Sequence, residues 1–365
     1  MFNSLNSTGM PLSDADIISA QMYSHVEESS REAFNEHWKY IRNLAKELEE
    51  SKIINISSVL QQYMYINRSI TKEYIKGSYT DVTMPGVRKY YTIINENLLK
   101  KPIELCKHFT KIVEIWDKIK DYPVIKLLLK FNENAKLYLI SYLYRYEPSD
   151  IDEEKIVDVA ECLLRLFCVL DLLNTAYYSS TNIKTFLLTE NIKLVDKNIC
   201  NEEIIEDFNN HIRANWNEDE IEHATFDYNK NAIVFLNEYL YAKSKKLSFN
   251  FENNVNVEHI MPCSGHNLDS IRKDAGIATK DEFDLYANRL GNKILLEEKI
   301  NKSISNEWFK TKKQNSIRTK SGYKDSSYHI AQKLVEYPKD SWTKDDIDLA
   351  TGKIAKRLIQ FIFNK

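Results

Sequence analysis

The sequence predicts a mainly α-helical protein, with a helical body followed by a smaller C-terminal domain that mixes strands and helices. Glycine (8 residues) and proline (7 residues) are scarce in this chain of 365 residues, which favours long helices over turn-rich β-structure. Apolar residues between positions 13 and 245 recur at spacings of three and four, the period of an amphipathic helix. Between positions 247 and 260 the spacing changes to alternation, which indicates strands or a hairpin.

The helical body follows a stretch rich in turn-forming residues. Ser13 is suited to cap the first helix, and Asp14 and Asp16 fall in its first turn, where carboxylates complement the helix dipole. Many of the 22 tyrosines fall at helical spacing, which favours core positions over stacking on bases. No repeat of fixed length is present, so we do not expect a regular solenoid. The pattern predicts helices over residues 14–27, 28–50, 55–75, 86–98, 102–119, 123–146, 152–178, 181–190, 201–213 and 228–243.

The C-terminal part has a different order of elements. We predict strands within residues 247–260, a short helix over 280–289, a strand over 293–296 and a helix near 300–309. Thr343 is the expected cap of a terminal helix that reaches Phe363, with acidic residues in its first turn.

Composition excludes several classes of protein. The formal net charge is -3, so any contact with nucleic acid must come from a local basic patch. The five cysteines have no CxxC spacing, which favours free thiols in a reducing cytoplasm, and Cys263 with His266 lacks the second pair that a structural zinc site needs. The start of the chain has no apolar signal segment, and the most apolar run, 156–173, carries charged residues. We therefore predict a cytoplasmic protein without a membrane span.

Residues that suit phosphodiester hydrolysis lie between positions 257 and 310. Glu258 and His259 are adjacent in a β-like run, and Pro262 follows closely. Asn292 opens a second apolar run, and Asn301 falls on the predicted helix after it. Hydrolysis needs an activated water and stabilisation of the charge on phosphorus and on the leaving oxygen, which one histidine and one divalent cation can supply. The order strand, loop, strand, helix is that of a ββα-metal (His-Asn-His, HNH) nuclease.

The adjacency of Glu258 and His259 sets a condition on this hypothesis. On a regular strand, neighbouring side chains point to opposite faces, so both residues serve one site only if the strand ends or twists there. Pro262 favours a strand end. An isolated Glu-His pair is usually an ordinary surface pair, and the hypothesis therefore depends on the other elements of the pattern.

These segments resemble a known family. VEHIMP (257–262) together with LGNKILLEEKINKSISNEWFKTK (290–312) is similar to the carboxy-terminal His-Asn-His nuclease domain of the GmrSD family of type IV restriction enzymes. The resemblance covers about residues 225–365, including the terminal helix that starts near Trp342.

The resemblance implies a role for each matching residue. His259 would be the general base, and Glu258 and Asn301 would bind a divalent metal, Mg²⁺ or else Mn²⁺. Asn292 would brace the loop that holds His259 through a backbone hydrogen bond, and it is counted with His259 and Asn301 in the catalytic set. Asn306 and Lys310 would lie near the phosphate of the DNA.

A second resemblance lies at the start of the chain. FNSLNSTGMPLSDADIISA (2–20) is similar to the end of the amino-terminal domain of the same family, where a DGQQR-type motif is linked to nucleotide handling and to sensing modified DNA. That motif is not found here, so a split subunit, a truncated gene product and a fragment all stay open. We predict a remnant of that domain at 1–20, an all-α body at 21–245 and an HNH-like domain with its C-terminal helix at 246–365.

A basic run follows the predicted site. It contains no acidic residue, and it consists of Lys310, Lys312, Lys313, Arg318, Lys320 and Lys324. Its position next to the site favours contacts with DNA phosphates, and a solvated basic loop is the alternative. His266 stays open as a substrate contact.

The sequence as a whole predicts a metal-dependent DNA endonuclease of a restriction or antiviral defence system. The alternative is a non-catalytic DNA-binding or scaffold subunit of a split restriction system, and a decayed remnant is the third possibility. The partners expected are DNA, foreign or modified, and a separate amino-terminal sensor or NTPase subunit. The pattern does not distinguish DNA from RNA, because the metal site reads a phosphate, and it does not determine an oligomeric state.

Overall fold

The computed structural model describes residues 12–76, 79–173, 180–195, 199–250, 254–314 and 321–365. The chain forms two compact units, the first made of Met1–Glu161 with Ala176–Ile205 and the second of Cys162–Thr175 with Glu206–Lys365. Helices dominate the described residues, which confirms the prediction of a mainly α protein. Residues 206–245 lie in the second unit, whereas we assigned them to the helical body. The three-domain division stays a prediction.

The first unit contains α-helices and one small antiparallel pair of strands. The strands are β1 (Ile75–Lys76) and β2 (Tyr79–Thr80). The helices are α1 (Asp14–Ser24), α2 (Arg31–Glu50), α3 (Ile56–Ile70), α4 (Val87–Lys89), α5 (Pro102–Ile119), α6 (Pro123–Leu128), α7 (Asn134–Leu143), α8 (Glu153–Leu173), α9 (Ser180–Val195) and α10 (Asn201–Asn215), with α8 and α10 contributing to both units.

Local capping explains where several of these helices begin. Ser13 Oγ accepts a hydrogen bond from the backbone N–H of Asp16 at 3.2 Å, and the Asp16 carboxylate accepts one from the Ser13 N–H at 3.3 Å, so the predicted cap is present. The single helix predicted over 123–146 is wrong. Asn132 Oδ1 accepts the N–H of Asn134 at 2.8 Å and thereby starts a new helix, α7.

Aromatic residues with satisfied polar ends form much of the core of the first unit, where α5 packs against α2 and α3. Trp116 is fully buried, and its Nε1–H donates to Gln62 Oε1 at 2.8 Å. The hydroxyl of buried Tyr91 donates to the Leu60 carbonyl at 2.8 Å, and the hydroxyl of Tyr90 accepts from the Asn67 side chain at 2.7 Å. These tyrosines are therefore core residues, as their spacing predicted.

The second unit carries the predicted site on two antiparallel strands. The strands are β3 (Val255–His259) and β4 (Lys293–Glu297), and the register runs from Val255 opposite Glu297 to His259 opposite Lys293. The helices are α11 (Glu218–Asp227), α12 (Ala232–Ser244), α13 (Leu268–Asp274), α14 (Lys280–Asn288), α15 (Glu298–Ile304), α16 (Phe309–Gln314), α17 (His329–Val335) and α18 (Lys344–Ile362). The Thr343 capping box predicted for the terminal helix is present. None of the described helices combines the length and apolarity needed to cross a membrane.

The turn Leu290–Asn292 is packed tightly against α18, and Gly291 makes this possible. A Cβ atom at Gly291 would lie 2.1 Å from the Ile347 carbonyl oxygen and 2.6 Å from Thr351 Oγ1. The Gly291 N–H donates to that same Oγ1 at 3.1 Å. The absence of a side chain therefore lets α18 support the turn that carries Asn292.

We expect Gly291→Ala to lower the free energy of unfolding by about 2 kcal/mol or more, because the added methyl group meets backbone that cannot move independently. Urea denaturation would measure this loss. The matched control is Gly86→Ala, since a Cβ at Gly86 meets no atom within 4 Å. Equal stability of the two variants would contradict the tight packing inferred for Gly291.

Candidate active site

Glu258 and His259 are the last two residues of β3, and each pairs with a residue of β4. Glu258 lies opposite Ile294 and His259 lies opposite Lys293, so the pairing is regular through both residues. Their side chains therefore leave the strand on opposite faces. The strand ends directly after His259, which meets the condition for both side chains to serve one site. Strand geometry alone does not bring the carboxylate and the imidazole to one point.

Glu258 is held in a buried ion pair with Lys312, whose side chain is only 1% exposed. Lys312 Nζ donates to Glu258 Oε1 at 2.5 Å and to the carbonyl oxygens of His259 at 2.8 Å and Ile260 at 3.4 Å. The Tyr323 hydroxyl donates to the same carboxylate oxygen at 3.2 Å. Burial lowers the pKa of Lys312, and the Glu258 carboxylate opposes that shift. The contacts of Lys312 hold α16 against the end of β3.

The His259 imidazole is neutral at pH 7. Burial, followed by the charges of Lys293 and Lys312, lowers the pKa of His259 to about 4. Its Nε2 is buried and has no hydrogen-bond partner, although the residue as a whole is half-buried. Because Nε2 is closed to solvent, Nδ1 is the ring nitrogen left to take up a proton, and the neutral ring is in the state that accepts one.

Asn292 is fully buried and joins the end of β3 to the start of β4. Its Oδ1 accepts the Met261 N–H at 2.7 Å, and its Nδ2 donates to the carbonyls of Met261 and Ala287, both at 3.0 Å. Its own carbonyl accepts the Ile260 N–H at 2.9 Å. These are bracing contacts of the kind that the resemblance implies, and a contribution of Asn292 to catalysis stays a prediction.

The other two asparagines lie on and after α15. Asn301 is half-buried, and its side chain makes no hydrogen bond with any residue in the described ranges. Asn306 is exposed, and its Nδ2 donates to Ser264 Oγ at 3.1 Å. Asn306 is thus placed beside the loop that follows β3, while the amide of Asn301 is available to bind a ligand.

The predicted basic flank is wrong for Lys312 and Lys313, which are buried. Ser305 adopts a φ of 46° and ends α15, so Phe309 begins a separate helix in which both lysines share its inward face. Lys313 Nζ donates to the carbonyls of Tyr337 at 2.8 Å and Lys339 at 2.6 Å.

Lys310 is exposed, as a residue that contacts DNA must be. Its ammonium is paired with the exposed carboxylate of Asp340 at 2.8 Å. Arg318 and Lys320 lie outside the described residues.

The donor atoms present can be compared with the needs of a divalent ion. Among the described residues, no group of three or more His, Cys, Asp or Glu side chains is placed to hold a metal. Mg²⁺ requires fewer protein ligands, since it binds through one or two carboxylates and retains several waters. Glu258 Oε1 is occupied by Lys312 and Tyr323, but no described residue donates to Oε2. One carboxylate oxygen and the Asn301 amide oxygen are hard donors of the kind that Mg²⁺ binds, and their joint binding of one ion stays a prediction.

Comparison with known families agrees with this part of the structure. Residues 206–357 match the family model described as GmrSD restriction endonucleases, C-terminal domain. The second unit, called the C-terminal unit from here on, therefore carries a GmrSD-type C-terminal domain. The matched region starts where the unit resumes at Glu206, and it includes β3, β4 and every candidate site residue. The search of curated proteins gave no match.

The matched family is described as one of restriction endonucleases. The match includes residues 206–245, which the sequence pattern had placed with the helical body. The sequence pattern did not predict the buried ion pair of Glu258 with Lys312, because its signal in the sequence was weak. Phe309, Lys312 and Lys313 have the spacing of one helix face, but we assigned both lysines to a basic segment that contacts DNA phosphates.

We expect Glu258→Gln and Lys312→Met each to destabilise the protein by about 2–5 kcal/mol, because each leaves a buried partner uncompensated. The double variant should lose much less than the sum of the two. A double-mutant cycle of unfolding free energies would measure this coupling.

The control cycle uses the exposed pair Glu298 and Lys302 on α15, where removal of either partner should cost no more than about 0.5 kcal/mol. Strictly additive losses at Glu258 and Lys312 would show that the buried pair is not formed in solution.

Proposed function

We propose that the C-terminal unit is a metal-dependent DNA endonuclease of the ββα-metal type, acting in restriction or defence against foreign DNA. The observation that carries the proposal is the half-buried, neutral His259 at the braced end of β3, inside a domain that matches a restriction endonuclease family. Asn292 and Lys312 hold the backbone at this histidine and directly after it, so the base is positioned before substrate binds.

His259 would accept a proton from the water that attacks phosphorus, through Nδ1. A pKa near 4 keeps the imidazole unprotonated at pH 7 but makes it a weak base. A divalent ion supplies positive charge that makes the attacking water more acidic and stabilises the oxygens of the phosphate. The weak base and the ion are therefore complementary.

Glu258 and Asn301 are the residues proposed to hold that ion, with Mg²⁺ as the first expectation and Mn²⁺ as a substitute. Glu258 would use Oε2, because Lys312 and Tyr323 orient the carboxylate through Oε1. Asn306 and Lys310 would contact the DNA backbone, and Lys310 would exchange Asp340 for a phosphate. Arg318 and Lys320 are retained as proposed phosphate contacts.

A non-catalytic DNA-binding or scaffold subunit is the second candidate. The observation in its favour is that the charge of Glu258 is already compensated by Lys312, which weakens the attraction for a cation. Calorimetric titration with Mn²⁺ separates the two candidates. Binding that is lost in Asn301→Ala favours the nuclease, whereas a folded protein that binds no Mn²⁺ favours the scaffold.

The proposed function predicts that His259→Ala lowers the rate of plasmid cleavage by about 100-fold or more, because the general base is lost. The assay compares supercoiled, unmodified and modified plasmids with Mg²⁺ or Mn²⁺, and with EDTA. The matched control is His223→Ala, an exposed histidine on α11 of the same unit, which should cleave within about twofold of the wild type. Cleavage by folded His259→Ala at the wild-type rate would refute the assignment of the base.

A further inference from the structure

A cavity of about 580 Å³ lies in the C-terminal unit, and none of the residues proposed for hydrolysis lines it. Residues of α12, α17 and α18 form its walls, together with the start of β4 and the turn before it. Its volume is within the range of pockets that bind small molecules, roughly 300–1,000 Å³. The space is large enough for a ligand and is lined by a single compact unit.

The charged side chains around this cavity are mostly cationic. Lys245 and Lys353 line it, are exposed, and form no ion pair with any residue of the described ranges. Arg357 also lines it, with its guanidinium 5.4 Å from the centre of the Tyr241 ring. The acidic lining residue is Glu336, which is already paired with Lys333 at 2.5 Å. A surplus of positive charge in a chain of net charge -3 favours an anionic ligand.

The uncharged part of the lining is aromatic and aliphatic. Tyr241, Tyr337 and Trp342 contribute rings, and the Tyr337 and Trp342 centroids lie 5.0 Å apart in an edge-to-face arrangement. Leu290 and Ile354 are buried apolar residues of the same wall. Such surfaces bind flat, apolar groups, and aromatic rings in particular stack on bases.

We propose that this cavity binds a phosphate-bearing ligand with an aromatic ring, of the size of one mononucleotide. Lys245 and Lys353 bind the phosphate, and the rings of Tyr241 and Trp342 contact the planar part. The same chemistry occurs in a free nucleotide and in the 5′-terminal nucleotide of a DNA strand. The site goes beyond the proposed endonuclease and does not depend on it.

Isothermal titration calorimetry on the full chain tests this proposal with four probes. They are adenosine monophosphate, adenosine, inorganic phosphate and a 5′-phosphorylated deoxyadenosine trinucleotide. Adenosine monophosphate should bind at least about tenfold more tightly than adenosine or phosphate alone, because it uses both parts of the cavity. Binding of the trinucleotide without binding of the monophosphate would support the site and identify a DNA end as its source.

Two variants remove the site in different ways. Lys245→Ala/Lys353→Ala deletes the two unpaired cations, and Ala350→Phe fills the cavity from α18. Each should weaken binding by about tenfold or more. The control Lys280→Ala/Lys356→Ala removes two exposed lysines that do not line the cavity, and it should bind as the wild type does.

Absence of binding by all four probes at millimolar concentration would overturn the proposal. Equal binding by the wild type and both site variants would do the same. His259→Ala should bind the probes normally, so a failure of the nuclease hypothesis and a failure of this site give different results.

Discussion

The hydrogen bonds between the Asn292 side chain and the Met261 backbone are the constraint on which the candidate site depends. They join Met261, the second residue after β3, to the residue before β4 at 2.7 and 3.0 Å, in a position without access to water. Buried amide groups of this kind are costly when unpaired, so the two segments are held together by the need to satisfy them. The position of His259 follows from this junction.

Two packing relationships support that junction. Gly291 allows α18 to approach the turn more closely than any side chain would permit. The ammonium of Lys312 binds the carbonyls of His259 and Ile260 as well as the Glu258 carboxylate. A buried ion pair adds little net stability, but it strongly penalises arrangements that separate its partners. We infer that Lys312 contributes to the specificity of the site geometry more than to stability.

The histidine and the carboxylate of the site have different electrostatic surroundings. Burial and two neighbouring lysines keep the His259 imidazole neutral, while Lys312 balances the charge of Glu258. A neutral base is the form that the proposed phosphodiester hydrolysis requires. The two unpaired lysines of the cavity, Lys245 and Lys353, do not belong to this network, although Lys293 both lines the cavity and lowers the pKa of His259.

Local patterns were sufficient for much of the fold and for the identity of the candidate residues. Helical spacing and the caps at Ser13 and Thr343 are encoded within a few residues. The position of Glu258 and His259 at the end of a strand is encoded just as locally. Tertiary structure decided the rest. The partners of Lys312 and the walls of the cavity come from elements far apart in the chain, and Lys313 is buried against residues 337 and 339. The sequence determined which groups are available, but burial and partners depend on long-range packing, which no local spacing encodes.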